Sequence, residues 1–281
     1  MKWQGRRGSR NIVDRRSSGG RVAGGVGGLG LVAIVLIGWV LGVDVTPLLN
    51  GATSGAAPSS QTTLSAADAQ AGAFVSVTLA DTEAAWADIL AQYGHDYDPV
   101  TLVLFTGATA SSCGSASEAT GPFYCPVDQR IYLDTAFFTT LSQRLGAQGD
   151  FAAAYVVAHE VAHHVQDELG ILGQANQIRA TASQAQSNAI SVRIELQADC
   201  YSGIWARYAQ DTLGTLERGD IGEAMTAAAQ IGDDTLQRNA GQRPMPDSFT
   251  HGTSAQRQRW FDIGYTSEDL NACDTFSAQT L

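Results

Sequence analysis

The stretch Tyr155–Gly170, YVVAHEVAHHVQDELG, decides how this chain is read. It carries three of the chain's five histidines within six residues, on a segment whose apolar positions are mostly valine and alanine. Upstream, FAAAYVVA (residues 151–158) is almost wholly apolar, and Gly170 supplies a stop. The pattern predicts a buried helix over about 150–169. A buried helix with His159, Glu160, His163 and His164 needs partners for those polar groups, because burying them unpaired is costly.

His159, Glu160 and His163 form H-E-x-x-H. At four residues apart on an α-helix, the two imidazoles are separated by about 40° in projection and roughly 6 Å along the axis. That spacing lets both reach one Zn²⁺ at about 2.0–2.1 Å. Glu160 is turned about 100° from His159, placed to act on a metal-bound water rather than to ligate. His164 points off the metal face and is expected to make a hydrogen bond at the helix surface. His95 has no companions and is expected at the surface.

The chain has 281 residues and 44% hydrophobic content, enough for one sizeable domain with appendages. The net charge of −11 is unevenly distributed. Residues 1–21 hold seven basic side chains and one acid, whereas the remainder holds 10 basic and 27 acidic groups. So acidic a body repels nucleic acid, which excludes a nucleic-acid partner from the expected function. Residues 22–43, VAGGVGGLGLVAIVLIGWVLGV, carry no charge and are long enough to cross a bilayer once. With the basic residues before it and Asp44 after it, this stretch reads as a signal anchor with the N-terminus cytoplasmic and the large C-terminal part outside. A cleaved signal peptide is the competing reading.

The expected organisation is a basic cytoplasmic tail (1–21), a transmembrane segment (22–43), a Gly/Ala/Ser/Pro/Thr-rich tether (44–64) and a folded domain (65–281). The four cysteines, Cys113, Cys125, Cys200 and Cys273, all follow the apolar segment, and none forms Cys-x-x-Cys. Three pairings are possible. Cys113–Cys125 and Cys200–Cys273 are favoured, the first closing a Gly/Ser-rich loop and the second tying the C-terminal tail to a central helix. Within the domain, residues 65–94 read as two helical stretches, the second capped by Asp81 or Thr82. Val100–Gly107 reads as a buried strand, and Gln129–Phe138 as a strand ending near Asp134 with a helix starting there. Further helices are expected over about 175–212, 219–239 and 253–264. The fold class is α+β: a predominantly helical domain with a small sheet, after an N-terminal transmembrane helix.

A catalytic zinc needs a third protein ligand and an open position. The metzincin continuation is absent, because Gln166 and Leu169 stand where glycine and histidine are required. The segment IELQADCYSGIW contains Glu195 and Asp199, and resembles the E-x-x-x-D element of the gluzincins, the thermolysin-like group. That resemblance implies a zincin-like metallopeptidase domain with Glu195 as the third ligand and Asp199 orienting one histidine through its far ring nitrogen. The bland alternative is a solvated pair of carboxylates, which repel at that spacing. Three separated motifs, AHEVAHHVQ, ELQADCYSGIWA and HGTSAQRQRWF, together resemble the bacterial "putative neutral zinc metallopeptidase" family, whose members also tend to begin with an arginine-rich segment and one membrane span.

The resemblance implies a membrane-anchored, zinc-dependent peptidase acting on peptide or protein substrates. Glu160 is then the general base for a zinc-activated water. His251, alone in a loop before a helix capped by Thr253 or Ser254, is the first candidate for stabilising the oxyanion, with Tyr132 and Tyr201 behind it. Phe123–Asp134 is the candidate edge for a peptide bound as an added strand, with Pro126 suited to an edge. Two other readings stay open: a catalytically silent, zinc-containing scaffold at the membrane, and a hydrolase of non-peptide amides in the cell envelope. Oligomeric state is not legible.

Overall fold

The computed structural model describes residues 1–17, 64–117 and 120–281. The apolar stretch 22–43 and nearly all of the tether 44–64 lie outside the described residues. Among the described residues no helix is long and apolar enough to cross a membrane.

The architecture is α+β and mostly helical. Strand β1 (Ile12–Asp14) precedes helix α1 (Ala66–Gln92). Then come β2 (Thr101–Phe105), the hairpin β3 (Ala108–Ser111) and β4 (Gly114–Ser117), β5 (Phe123–Cys125) and β6 (Arg130–Asp134). After a short helical turn at Phe137–Arg144, helix α2 (Asp150–Glu168) opens the C-terminal half. It is followed by α3 (Ile171–Arg179), α4 (Gln184–Asp211), α5 (Asp220–Gln230), α6 (Asp233–Asn239) and α7 (Ser254–Ser267). One sheet has the order β1-β2-β6-β5, with β1, β2 and β6 parallel and β5 antiparallel to β6. The hairpin β3-β4 forms a separate two-stranded sheet.

Several boundaries depart from expectation for identifiable reasons. Residues 66–92 form one helix, not two, started by a Ser65–Asp68 capping box. Asp81 is therefore no cap; it is buried in mid-helix and paired with Arg6. Thr82 returns its hydroxyl to the Leu79 carbonyl within the same helix. The helix expected over 175–212 is broken at residues 180–183, where Ser183 and Gln186 form a fresh capping box. The one expected over 219–239 is broken at Gly232, whose backbone lies so close to Ser254 that an added Cβ would stand 2.4 Å from its nitrogen.

The basic N-terminal segment also differs from a free tail. Residues 1–17 lie on the domain: β1 pairs with β2, Met1 is buried, and Trp3 packs edge-on against Phe74 at 5.5 Å. Both disulfides have the favoured pairing, Cys113–Cys125 and Cys200–Cys273. The second ties the C-terminal tail to α4, where Gln197 also donates to the Cys273 carbonyl at 3.1 Å.

The core lies between the sheet and the helices, with α2 at its centre: all residues from Phe151 to Ala162 are buried. Helix α4 crosses α7 at very close range. A Cβ on Gly264 would stand 1.8 Å from the Cys200 carbonyl oxygen, and one on Gly203 would stand 2.1 Å from that of Phe261. Only glycine at both positions permits this approach. It sets Arg257 of α7 against Asp199 of α4.

Candidate metal centre

Helices α2 and α4 bring His159, His163 and Glu195 together. Ligand atoms of all three lie within 4.8 Å of one another, and the two imidazole rings meet edge-to-face with centroids 4.8 Å apart. His159 Nε2 is 3.0 Å from Glu195 Oε2, and His163 Nε2 is 3.6 Å from Glu195 Oε1. Both rings therefore turn the same nitrogen, Nε2, toward the same carboxylate.

The groups behind the rings explain that choice. Gln166 donates through Nε2 to the Ile194 carbonyl (2.8 Å) and to Gln197 Oε1 (3.0 Å), so its own Oε1 is left to accept. His163 Nδ1 lies 2.8 Å from that Oε1 and is thereby the protonated nitrogen, which frees the Nε2 lone pair. His159 Nδ1 stands 2.9 Å from Asp199 Oδ1, though its N–H is not well aligned on that oxygen. Asp199 is fully buried and gripped by Arg257 through Nε–Oδ2 (2.8 Å) and Nη2–Oδ1 (2.9 Å), with the Tyr155 hydroxyl donating to the same carboxylate.

The electrostatics favour a cation. Burial alone would lower the His159 pKa, yet the adjacent Asp199 and Glu195 carboxylates raise it to about 9. Burial works against the Glu195 and Asp199 carboxylates, but the neighbouring histidines and Arg257 hold both below their ordinary values. In Glu160 burial wins and pushes the carboxyl up, against the pull of His163 and His159 and a backbone hydrogen bond from Tyr124. Two imidazoles freed at Nε2 and one carboxylate are a donor set that fits Zn²⁺. Another trio, Asp150, Asp220 and Glu223, has a cation already: the Met1 amino group is 2.5 Å from Asp150 and 3.4 Å from Asp220.

His251 lies on the loop before α7, about half exposed, and close enough to Glu195 for their charges to interact. Burial opposes its positive form, but Glu195 and Asp233 raise its pKa on balance. Asp233 accepts from the backbone N–H groups of Thr250, His251 and Gly252 at 2.7, 2.6 and 3.0 Å, and its other oxygen is 3.2 Å from His251 Nδ1.

Other sequence candidates fall elsewhere. Tyr132 is bonded to Asp128, and Tyr201 packs against Trp86. His164 is buried rather than at the helix surface, bonded to the Asp98 carbonyl at 2.7 Å and near the Tyr124 hydroxyl at 3.2 Å. His95 is exposed, as expected. The edge expected over 123–134 is two strands, of which β5 is the outer one; Pro126 sits just after it in the turn.

Sequence reasoning missed Tyr155, Gln166, Asp233 and Arg257. Helical spacing could have offered two of them: Tyr155 is four residues before His159, and Gln166 three after His163. Nothing local marks Asp233 or Arg257.

An H-E-x-x-H helix facing a glutamate on a second helix is the plan of a zinc metallopeptidase. The chain belongs to the family described as "Putative neutral zinc metallopeptidase", whose model matches residues 1–276. It is 45% identical over 285 aligned positions to the uncharacterized protein YpfJ of Escherichia coli (strain K12), covering 98% of this chain and 99% of that one. It is 46% identical over 209 positions to the uncharacterized protein Rv2575 of Mycobacterium tuberculosis (strain ATCC 25618 / H37Rv), covering 71% and 68% respectively. No solved structure gives a significant match.

Proposed function

We propose that this protein is a zinc-dependent peptidase that hydrolyses peptide bonds with Glu160 as general base. The observation that carries the reading is the convergence of both Nε2 atoms on Glu195, with a buried Glu160 beside them that no structural zinc requires. His159, His163 and Glu195 would hold the ion. When bound, zinc supplies Lewis acidity toward the scissile carbonyl and toward water.

The chain's own residues supply the rest. Burial raises the proton affinity of Glu160, which suits a carboxylate that takes a proton from water and passes it to the leaving amine. Asp199 and Gln166 hold the two imidazoles in one orientation. His251, whose proton affinity Glu195 and Asp233 raise against the effect of burial, uses Nδ1 against Asp233 and leaves Nε2–H to donate to the developing oxyanion. The substrate lies along β5 as an added strand, since that edge abuts α2 and the Tyr124 backbone reaches Glu160.

Glu160→Gln tests the reading. Zinc content, measured by elemental analysis, should stay stoichiometric, while cleavage of a quenched-fluorescence peptide library should fall by about 10²–10⁴-fold. Equal cleavage by the two proteins would remove Glu160 from the chemistry. Absence of zinc in the wild type would remove the peptidase.

A further inference from the structure

Residues 1–17 raise a question that the metal centre does not answer. Their sequence reads as a tail left behind on one side of a bilayer, yet they are fitted to the domain that would lie on the other.

The fit is specific along the whole segment. β1 closes the open edge of β2 in parallel register, Ile12 opposite Leu102 and Asp14 opposite Leu104. The ladder is continued by Leu102 N–H to the Asn11 carbonyl at 2.8 Å and Arg15 N–H to the Leu104 carbonyl at 2.7 Å. Arg6 supplies the cation for Asp81, which is 4% exposed in the middle of α1 and would otherwise be a buried lone carboxylate. The surfaces are also cut to each other. Arg16 fills the notch at Gly72, where a Cβ would stand 2.3 Å from its Nη2, and Gly8 lies so close to Ser76 that a Cβ would stand 2.3 Å from its hydroxyl. A solvated basic tail has no use for such contacts.

One crossing at 22–43 would put residues 1–17 and 64–281 of a chain on opposite faces of the bilayer. A return crossing would need about 20 mostly apolar residues. The stretch 44–63, DVTPLLNGATSGAAPSSQTT, does not contain them. Docking of the N-terminal segment and a single-pass anchor therefore exclude each other within one chain.

We propose that residues 1–17 are a structural part of the domain, with β1 in its sheet, and lie on the same side of the membrane as residues 64–281, so that the apolar stretch does not separate them. This does not depend on the peptidase reading. The β2 edge is a docking surface whose occupant is the chain's own N-terminal segment, where Arg6 is the charge partner of Asp81 in α1 and Arg16 binds Asp14 and the Asp68 carbonyl.

The test uses the full chain in cells. Single substitutions Arg10→Cys and Val127→Cys place a thiol on exposed positions of the segment and of the domain, the four native cysteines being paired in disulfides. Labelling with a membrane-impermeant maleimide is compared between intact and permeabilised cells. The two positions should give the same pattern, whether both label from outside or both only after permeabilisation. Opposite patterns would overturn the proposal.

Discussion

Asp199 and Arg257 form a two-pronged ion pair, Nε–Oδ2 at 2.8 Å and Nη2–Oδ1 at 2.9 Å, with both side chains at most 2% exposed, directly behind the candidate ligand His159. Neither charge has water to fall back on. Removing one partner strands the other, a loss of about 3–5 kcal/mol for a buried pair. Arg257→Ala should lower unfolding free energy by that order in a denaturant titration. Asp199→Asn, which keeps the volume, should in addition weaken zinc binding by about 10–100-fold, read by chelator competition, because the ring it orients is then unsupported.

Zinc binding should depend on pH through His159. In the metal-free protein its pKa is raised from the ordinary 6.5 to about 9. The proton's contribution to metal-free stability is therefore full below about pH 6.5 and disappears as pH rises through about 9. The ligand form is the neutral ring, so zinc displaces that proton. Between those limits apparent affinity should rise by about tenfold per pH unit, with about one proton released per zinc from this group. Competition titrations at several pH values and proton release in weak buffer check both quantities, and a flat profile would contradict the cation-for-proton exchange.

Gly264 should tolerate no side chain. The Cβ of Gly264→Ala would meet the Cys200 carbonyl at 1.8 Å, backbone against backbone, so α7 has to move away from α4. Overpacking of this kind costs about 1–3 kcal/mol. The same displacement draws Arg257 off Asp199, so zinc affinity should fall together with the melting temperature. Gly222→Ala, in α5 with nothing within 4 Å of the added carbon, is the control: zinc affinity should stay unchanged and the melting temperature should not fall, since alanine favours the helix.

Asp233 should act on turnover rather than on metal. It organises the loop 250–252 through three backbone N–H groups and holds His251 Nδ1, but no contact joins it to the three ligands. Asp233→Asn keeps part of the loop's hydrogen bonding and removes the charge that supports a protonated His251. Zinc content should persist, kcat should fall by about 10²-fold as for loss of one oxyanion donor, and the alkaline limb of the pH–kcat profile should move to lower pH. An unchanged profile would assign His251 to loop structure alone.

Much of the centre was legible because it is local. His159, Glu160 and His163 are within one helix, where spacing fixes direction, and the apolar residues around them fix burial. Glu195 and Asp199 came from a resemblance; α4 brings Glu195 to the Nε2 atoms of both histidines and Asp199 to Nδ1 of His159. The pairing of the cysteines followed from which segments they would tie. Of the two helix breaks, the one at 180–183 carries a local signal, the Ser183–Gln186 capping box, whereas the one at Gly232 was illegible because it depends on Ser254 standing against Gly232, a contact between segments 22 residues apart.

By itself, then, the sequence determined the H-E-x-x-H helix, the mixed fold class and the acidic character of the body, because periodicity, motif spacing and charge are properties of neighbouring residues. Tertiary structure alone decided that Arg257 lies behind Asp199, that Asp233 holds His251, and that the basic segment 1–17 docks on the domain with β1 paired to β2. Each of these joins residues far apart in the chain through a close crossing, a buried ion pair or an open strand edge, and such contacts exist only once the helices and the sheet have packed.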